Sequence, residues 1–301
     1  MGFTIATNVS SLNAMRNLTL NQTAQSKSVE RLSSGLRINR AADDAAGLAI
    51  SEGLKNQISG LQVAGRNAQD GISLVQTAEG ALTEVHNILN RVRDLAVQAS
   101  NDTNNAESRS ALQKEVSALG DELTRIAAST NFNGIQLLGE SADGKGDLND
   151  ALKIQVGANG GTDNAALNEI TVNLTDIGAL AKELTVDGRG EDATAGTPAL
   201  AALDLTSQTG ASDAILALDV YIKDVSNARA DLGAQQNRLE STARSIAVSV
   251  ENLSAANSRI RDTDMATEMG NFTKSQILSS AATAMLAQAN QMNSGVMQLL
   301  Q

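Results

Sequence analysis

A run of apolar residues spaced alternately three and four apart constrains the fold of this 301-residue chain more than any other feature. It keeps one register from residue 215 to residue 260, through the polar positions Arg229, Gln236 and Asn257. Its apolar members are Ile215, Leu218, Ile222, Val225, Leu232, Leu239, Ala243, Ile246, Val250, Leu253 and Ile260. A heptad seam of this length is the signature of a long helix in a coiled-coil-like bundle. We therefore expect a helix of about 45 residues, roughly 65–70 Å long.

The composition removes the usual obstacles to such long helices. The chain is 42% hydrophobic but only 1% aromatic, and its one proline is Pro198. Because proline breaks helix interiors, almost the whole chain is free to be helical. Aromatic side chains dominate compact cores, so their scarcity argues against a typical globular enzyme. The absence of cysteine excludes disulfides and thiolate metal sites.

Similar seams mark both ends of the chain. The N-terminal seam consists of Met15, Leu18, Gln22, Gln25, Val29, Leu32 and Leu36. The C-terminal seam consists of Leu278, Ala282, Met285, Ala289, Met292, Val296 and Leu299. Between the ends, a helical run covers about 44–99, a polar loop covers 100–107, and a shorter seam follows at 112–126.

The centre of the chain has a different pattern. Asn133-Gly134 is a hairpin-turn signal. The stretches LKIQVG (152–157) and EITVNL (169–174) alternate apolar and polar residues, as half-buried strands do. Residues 176–212 are rich in Gly, Thr, Asp and Ala and predict a surface insertion.

These elements predict a mainly α chain: a long coiled-coil-like helical rod with paired N- and C-terminal helices and a small β-hairpin region in the middle. Residues 1–43 and 257–301 would form an inner domain of terminal helices. Residues 44–256 would form a rod domain, including the β region 131–175 and the variable surface insertion 176–212. The rod helices are expected at 44–100, 104–129 and 213–256, antiparallel around one core.

The charge of the chain is distributed unevenly. Residues 1–40 carry a net charge of +4 and residues 258–301 a net charge of 0. The middle of the chain, residues 41–257, therefore carries −15, which brings the total to −11. An acidic middle argues against nucleic acid as a partner. The sequence contains no stretch of about 18 apolar residues, so we expect no membrane span. The first residues also lack the pattern of a cleaved secretory signal. Residues 275–301 carry no charged side chain, so we expect them to be disordered in the free chain and buried when the protein works.

Asp43 and Asp44, in the stretch NRAADDAAGLAI (39–50), are adjacent carboxylates that invite a catalytic or metal-binding interpretation. Neighbouring helical residues point about 100° apart, so the pair is poorly placed to share a metal. A helix start explains them better, with Asp43 as the N-cap. Arg37 and Arg40 would pair with these carboxylates or with a neighbouring subunit, and Gly47 would permit close packing.

Other candidate groups point to structure rather than to catalysis. His86, the only histidine, has no HExxH pattern and is expected to be a partly exposed helix residue. Asp262, Asp264 and Glu268 lack the glycine and the spacing of an EF-hand, so capping is favoured over calcium binding. We therefore expect no catalytic site, no metal and no cofactor.

Seven blocks of the sequence, in order, resemble bacterial flagellin over roughly 1–175 and 211–301. They are ERLSSGLRINRAADDAAGLAIS (30–51), RNAQDGISLVQTAEGALTEVHNILNRVRDLAVQASN (66–101), NFNGIQLL (131–138), LKIQVGAN (152–159), LGAQQNRLES (232–241), SRIRDTDMATEM (258–269) and AMLAQANQMNSGVMQLL (284–300). The resemblance implies a minimal, two-domain member of the family. Its implied function is a subunit that self-assembles into the extracellular flagellar filament for motility, exported unfolded by the flagellar type III apparatus. An export chaperone and the filament cap are implied partners.

The resemblance and the seams together name candidate residues. The filament assembly core is expected at Met15, Leu18, Val29, Leu32, Leu278, Met285, Met292, Val296 and Leu299. The connection between the inner and rod domains is expected at Arg37, Arg40, Asp43 and Asp44. By resemblance, Arg91, Leu95 and Glu115 would contact the vertebrate flagellin-sensing Toll-like receptor, although Leu95 would equally suit a subunit interface.

Two other functions remain open at this point. A hook–filament junction protein shares the terminal helices but does not form long filaments alone. An unrelated helical signalling protein or enzyme would need a membrane span or a set of catalytic groups, and the sequence offers neither.

Overall fold

The structure is a computed structural model that describes residues 8–139, 152–160, 165–174 and 205–298. It is mainly helical, as the seams predict. The helices are α1 (Val9–Ser34), α2 (Ala45–Ala99), α3 (Ala106–Ser129), α4 (Ala165–Asn168), α5 (Gln208–Arg261) and α6 (Met265–Gln298). The strands are β1 (Asn131–Phe132), β2 (Ile135–Gln136), β3 (Leu152–Gln155) and β4 (Glu169–Val172). Most of the predicted insertion, 176–204, lies outside the described residues.

The chain divides into two compact units. One comprises residues 1–58 and 251–301, and the other comprises residues 59–250. Both divisions fall inside the long helices α2 and α5, whereas the sequence analysis places domain boundaries at 43/44 and 256/257. The assignment of an inner domain and a rod domain with those boundaries stays a prediction.

In the unit of residues 59–250, α2, α3 and α5 share one hydrophobic core, as predicted. Arg93 on α2 pairs with Asp219 on α5, and the earlier Glu79 pairs with the later Arg229, so these two helices are antiparallel. Fully buried members of the core include Leu82, Leu89, Leu95, Leu123, Leu218 and Leu239. The heptad seam of α5 therefore packs inward, and its break at Arg229 is occupied by an ion pair.

Local signals in the sequence explain the ends of α3 and the turn after it. The Asn105 side chain accepts a hydrogen bond from the Ser108 amide at 2.8 Å and caps the helix. After α3, β1 and β2 pair in antiparallel fashion through Asn133 (φ 52°) and Gly134 (φ 82°). Positive φ at both turn residues matches the hairpin that the Asn-Gly pair predicts.

The second hairpin lies directly on α2. β3 pairs antiparallel with β4, with Ile154 opposite Ile170, in the two stretches where alternation predicts strands. Asn67 on α2 donates a hydrogen bond of 3.1 Å to the Gln155 carbonyl. A Cβ at Gly71 would collide with the Ile154 side chain, so this glycine allows the close approach of hairpin and helix.

The unit of residues 1–58 and 251–301 is built on an antiparallel pair of helices, α1 and α6. Asn8, before α1, donates to the carbonyl of Ala289 late in α6, while Ser28 late in α1 reaches Glu268 at the start of α6. None of the helices in the described ranges is long and apolar enough to cross a membrane. That α6 is disordered in the free chain stays a prediction.

Candidate assembly surface

The face that joins α1 to α6 consists mostly of small and polar side chains. On α1, the less exposed positions repeat at heptad spacing: Ser11, Ala14, Leu18, Asn21, Gln25, Ser28 and Leu32. On α6, the corresponding positions are Glu268, Phe272, Ser275, Ser279, Ala282, Leu286 and Ala289. Hydrogen bonds support the pair at one end, where Ser11 Oγ lies 3.1 Å from Asn290 Oδ1. The joint thus combines seven small residues with the larger Leu18, Leu32, Phe272 and Leu286.

Ten other large apolar side chains of the same two helices are exposed. We call this set of residues the assembly face, and their exposed fractions range from 42% to 66%. It consists of Val9, Leu12, Met15, Leu20 and Val29 on α1 and Met265, Met269, Ile277, Leu278 and Met285 on α6. Charges are sparse beside it, since Arg16 is the only charged residue of 9–26 and Lys274 the only one of 269–298. Exposed apolar side chains with few charges between them favour contact with a partner.

The predicted assembly core divides between these two surfaces. Met15, Val29, Leu278 and Met285 are exposed and belong to the assembly face. Leu18 and Leu32 are partly buried in the joint between α1 and α6. The side chains of Met292 and Val296, and the whole of Leu299, lie outside the described residues. Involvement of these residues in assembly stays a prediction.

A buried acidic residue sits within the joint. Glu268 is 6% exposed, and its carboxylate accepts a hydrogen bond of 2.6 Å from Ser28 Oγ. Arg31 Nη1 lies 3.6 Å from the same carboxylate and compensates its charge. The sequence predicts only a capping role for Glu268 and its neighbouring acids, because Ser28, the partner in this contact, is 240 positions away.

The neighbouring acids have separate structural roles. Asp264 caps α6 by accepting hydrogen bonds from the amides of Ala266 and Thr267 and from the Thr267 hydroxyl. These bonds hold the pKa of Asp264 below its ordinary value, the Thr267 amide contributing most. Asp262 instead accepts a hydrogen bond from Ser258. Across the described ranges, no group of three His, Cys, Asp or Glu residues could hold a metal ion.

The segment that follows α1 is hydrogen-bonded to the end of α5 and to Thr263 just after it. Gly35 ends α1 in the left-handed conformation (φ 70°), and its carbonyl accepts from the Thr263 amide at 3.0 Å. The Arg37 amide donates to the Arg261 carbonyl at 2.6 Å, and the Arg37 guanidinium donates to the Ile260 carbonyl at 2.8 Å. The chain is thereby held where it passes from α1 towards α2.

One prediction about the acidic pair is wrong. The N-cap of α2 is Asp44, which accepts from the Gly47 amide at 2.9 Å, and not Asp43. Within the chain, Arg40 pairs with Glu30 and Arg37 binds the Ile260 carbonyl, rather than these carboxylates. Pairing of the two arginines with a neighbouring subunit, the other possibility, stays a prediction. Asp43 is not the cap because it lies within the turn, whereas Asp44 directly precedes the first helical residue, Ala45.

Asp43 closes the turn instead. Its carboxylate accepts from the amides of Asn39 and Arg40, both at 3.2 Å, and pairs with Lys27 Nζ at 2.7 Å. The Lys27 hydrogen bond, followed by that of the Arg40 amide, lowers the pKa of Asp43 to about 2. Close packing at Gly47 is confirmed, since a Cβ there would meet the Asp44 and Ile38 side chains.

The predicted receptor residues lie in the unit of residues 59–250. Arg91 on α2 and Glu115 on α3 are exposed and form an ion pair at 2.6 Å. Leu95 is 2% exposed and belongs to the core, so its side chain presents no surface to a partner in this structure. The structure therefore brings Arg91 and Glu115 together on the surface and buries Leu95 in the core.

Comparison with known families decides what kind of protein carries this surface. The bacterial flagellin N-terminal helical region matches residues 5–143, and the bacterial flagellin C-terminal helical region matches residues 215–300. This chain belongs to the bacterial flagellin family. The two matches include the whole of the assembly face.

Relatives extend the likeness to flagellin over nearly the full length. A flagellin of Halalkalibacterium halodurans is 49% identical and covers 97% of this chain and 98% of its own. The flagellar filament 31.3 kDa core protein of Treponema maltophilum is 43% identical, with 98% of each chain covered.

A solved structure of a putative flagellar hook-associated protein from Vibrio parahaemolyticus has the same fold. It covers 73% of this chain and 100% of its own with a TM-score of 0.55, at 14% identity. At that identity the likeness concerns the fold alone.

Proposed function

We infer that the chain is a structural subunit of the extracellular bacterial flagellar filament, in which many copies polymerise. Its flagellin relatives match it along almost the whole length. The observation that carries the mechanism is the assembly face, whose ten large apolar side chains are exposed while α1 and α6 meet mostly through small and polar ones. Such an arrangement suits helices that make their main apolar contacts with other copies.

The energetics favour use of this face in a polymer. Fully burying a Leu, Met or Val side chain stabilises by roughly 1.5–3 kcal/mol, so covering the exposed part of each would contribute on the order of 1 kcal/mol. Ten such side chains lie on the assembly face, and contacts between two different surfaces of a subunit give an open helical polymer when the rotation between copies does not close a ring. Repeated contacts of this kind would stabilise a filament without any strong pairwise contact.

We propose that the subunits pass through the flagellar export apparatus unfolded and then fold at the filament tip. The chain has no cysteine and therefore no disulfide that must be broken. The joint between α1 and α6 buries mostly small and polar groups, so it would cost little to open. An export chaperone that covers the assembly face and a cap that confines subunits at the tip are proposed partners.

Recognition by the vertebrate flagellin-sensing Toll-like receptor is a further proposal for the second unit. Arg91 and Glu115 support it, because they form one exposed charged pair across α2 and α3. Leu95 would contribute indirectly by holding α2 in the core.

Sequence identity does not support the alternative function of a hook–filament junction protein. The relatives at 43–49% are flagellins or a filament core protein, whereas the hook-associated structure resembles the chain in fold only. The two functions differ in behaviour: a filament subunit polymerises into long filaments from purified protein, and a junction protein does not.

Deletion of residues 275–301 tests the proposed function. Electron microscopy of seeded, purified wild-type protein should show long filaments, and the truncated protein should form none. Circular dichroism should show that the truncated chain keeps the thermal transition of the unit of residues 59–250. Filaments formed by the truncated protein would contradict the role of the terminal helices.

A further inference from the structure

The methionines of this chain are confined to its two ends. All seven lie within residues 1–15 and 265–301, and residues 16–264 contain none. The buried core of the unit of residues 59–250 is built instead from Leu, Val, Ile and Ala. Leucine has nearly the same helix propensity as methionine and a similar volume. Neither helix formation nor side-chain size therefore explains why methionine is restricted to the terminal helices.

Four of these methionines have described side chains, and all four are accessible in the single chain. Met15 on α1 is 59% exposed, and on α6 Met265, Met269 and Met285 are 49%, 50% and 66% exposed. All four belong to the assembly face. Because the chain has no cysteine, the thioether is its only sulfur group. An oxidant that attacks sulfur therefore acts on the terminal helices and finds no sulfur in residues 16–264.

Oxidation would reverse the polarity of such a side chain. A peroxide transfers one oxygen atom to the thioether sulfur: the O–O bond breaks, an S–O bond forms, the sulfur loses two electrons, and the peroxide leaves as water or an alcohol. The product, methionine sulfoxide, is polar where the thioether is apolar. Burying its S–O group in an apolar contact without a hydrogen-bond donor is costly. The side chains that favour contact with a partner lose that property once they are oxidised.

We propose that Met15, Met265, Met269 and Met285 are sites of reversible oxidation by peroxides, and that their sulfoxides keep a subunit out of the filament. The reaction at the exposed thioethers concerns the single chain, whereas the effect on polymerisation rests on the proposed function. Sulfoxide reductases reverse the modification: a dithiol supplies two electrons and two protons and becomes a disulfide, and the oxygen leaves as water. Oxidation then acts as a switch on assembly rather than as permanent damage.

Peptide mass spectrometry of monomers, after brief treatment with hydrogen peroxide, tests the sites themselves. Leu167→Met supplies a reference on the same chain, since Leu167 is 82% exposed and lies in the unit of residues 59–250. We expect each of the four methionines to gain one oxygen at a rate within about tenfold of the reference, because the peroxide must reach the sulfur. A slower rate at one of them would remove that residue from the set. Slower rates at all four would overturn the proposal.

The critical concentration for polymerisation tests the consequence. It is measured by sedimentation of seeded protein, with electron microscopy to verify filaments. We expect peroxide-treated protein to have a value at least about tenfold above that of untreated protein, because burying an unpaired polar group has this order of effect. Treatment with a dithiol and the reductases for both sulfoxide epimers should then restore the original value.

The outcomes separate the switch from the function on which it rests. An unchanged critical concentration after complete oxidation, or no recovery after reduction, would overturn the switch alone. Untreated wild-type protein that never polymerises would overturn the proposed function itself. Circular dichroism should show the same thermal transition of the unit of residues 59–250 before and after treatment, since that unit contains no methionine. A lowered transition would mean that oxidation damages the fold, and would contradict a selective effect on assembly.

A variant that carries leucine at all four positions assigns the effect to these sulfurs. Leucine keeps the apolar contact and the approximate volume, so the untreated variant should polymerise near the wild-type critical concentration. After peroxide treatment it should keep most of that ability. The double variant Met265→Leu, Met269→Leu makes the same comparison with fewer changes and should be protected in part. Equal losses of polymerisation in wild type and in both variants would place the effect elsewhere and overturn the proposal.

Discussion

Ser28 donates a hydrogen bond of 2.6 Å to Glu268, and both side chains are buried between α1 and α6. This contact joins positions at opposite ends of the chain. Half of the surrounding joint positions are small residues at heptad spacing, which by themselves distinguish poorly between registers. A buried polar contact of this kind can fix one register. We therefore expect it to align the residues of the assembly face.

Loss of this hydrogen bond should weaken the filament. Ser28→Ala removes the donor and leaves the buried Glu268 carboxylate with Arg31 alone, at a cost of about 1–3 kcal/mol per subunit. Thermal depolymerisation, followed by light scattering, should occur at a lower temperature. Ser26→Ala, at an exposed position of the same helix, is the control and should depolymerise like wild type. Equal behaviour of both variants would mean that the contact does not stabilise the polymer.

A charge in the seam of α5 should destabilise the unit of residues 59–250. Leu232 is 2% exposed in the shared core. Leu232→Asp should reduce the free energy of unfolding by about 4 kcal/mol or more, because it removes apolar contacts and buries a carboxylate. Circular dichroism melting measures the effect, with the exposed Ala230→Asp as control. An unchanged melting temperature in Leu232→Asp would show that the seam is not buried.

Receptor signalling should depend on the exposed pair of α2 and α3. Arg91→Ala breaks an exposed ion pair with Glu115, so monomer stability should change by less than about 1 kcal/mol. Signalling potency in receptor-expressing cells should nevertheless fall. Arg125→Ala removes an arginine of similar exposure on α3 and should keep full potency. Wild-type potency of monomeric Arg91→Ala would refute the receptor proposal.

The turn before α2 should respond to acid. The pKa of Asp43 lies at about 2, below its ordinary value of 3.8, chiefly because Lys27 donates a hydrogen bond to it. A lowered pKa means that the charged form stabilises the turn above about pH 4 and that this stabilisation is lost as the pH falls towards 2. NMR titration of the Asp43 carboxyl measures it. Lys27→Met should move the midpoint up towards 3.8, and a wild-type midpoint already near 3.8 would contradict the ion pair.

The regular parts of the fold could be predicted because their signals are local and periodic. The seam from Ile215 to Ile260 matches α5, and Asn133-Gly134 marks the turn between β1 and β2. Both depend on residues close together in the chain. Periodicity is therefore sufficient to place such elements.

The details of the candidate site depend on spatial partners that periodicity does not identify. Met15 and Leu18 share one predicted seam, yet Met15 is exposed and Leu18 faces α6. Adjacent acids such as Asp43 and Asp44 have the same propensity to cap, and only the turn geometry selects Asp44. The burial of Glu268 requires Ser28, which no local pattern connects to it.

Amide hydrogen exchange of residues 275–301, measured in monomers and in filaments of the same protein, tests the central claim most directly. The account holds that these uncharged residues become firmly helical only when other copies cover the assembly face. It predicts weak protection in the monomer and strong protection in the filament, while the core amides of α2 and α5 between residues 59 and 250 are protected in both. Strong protection of 275–301 in the isolated monomer, or none in the filament, would contradict it.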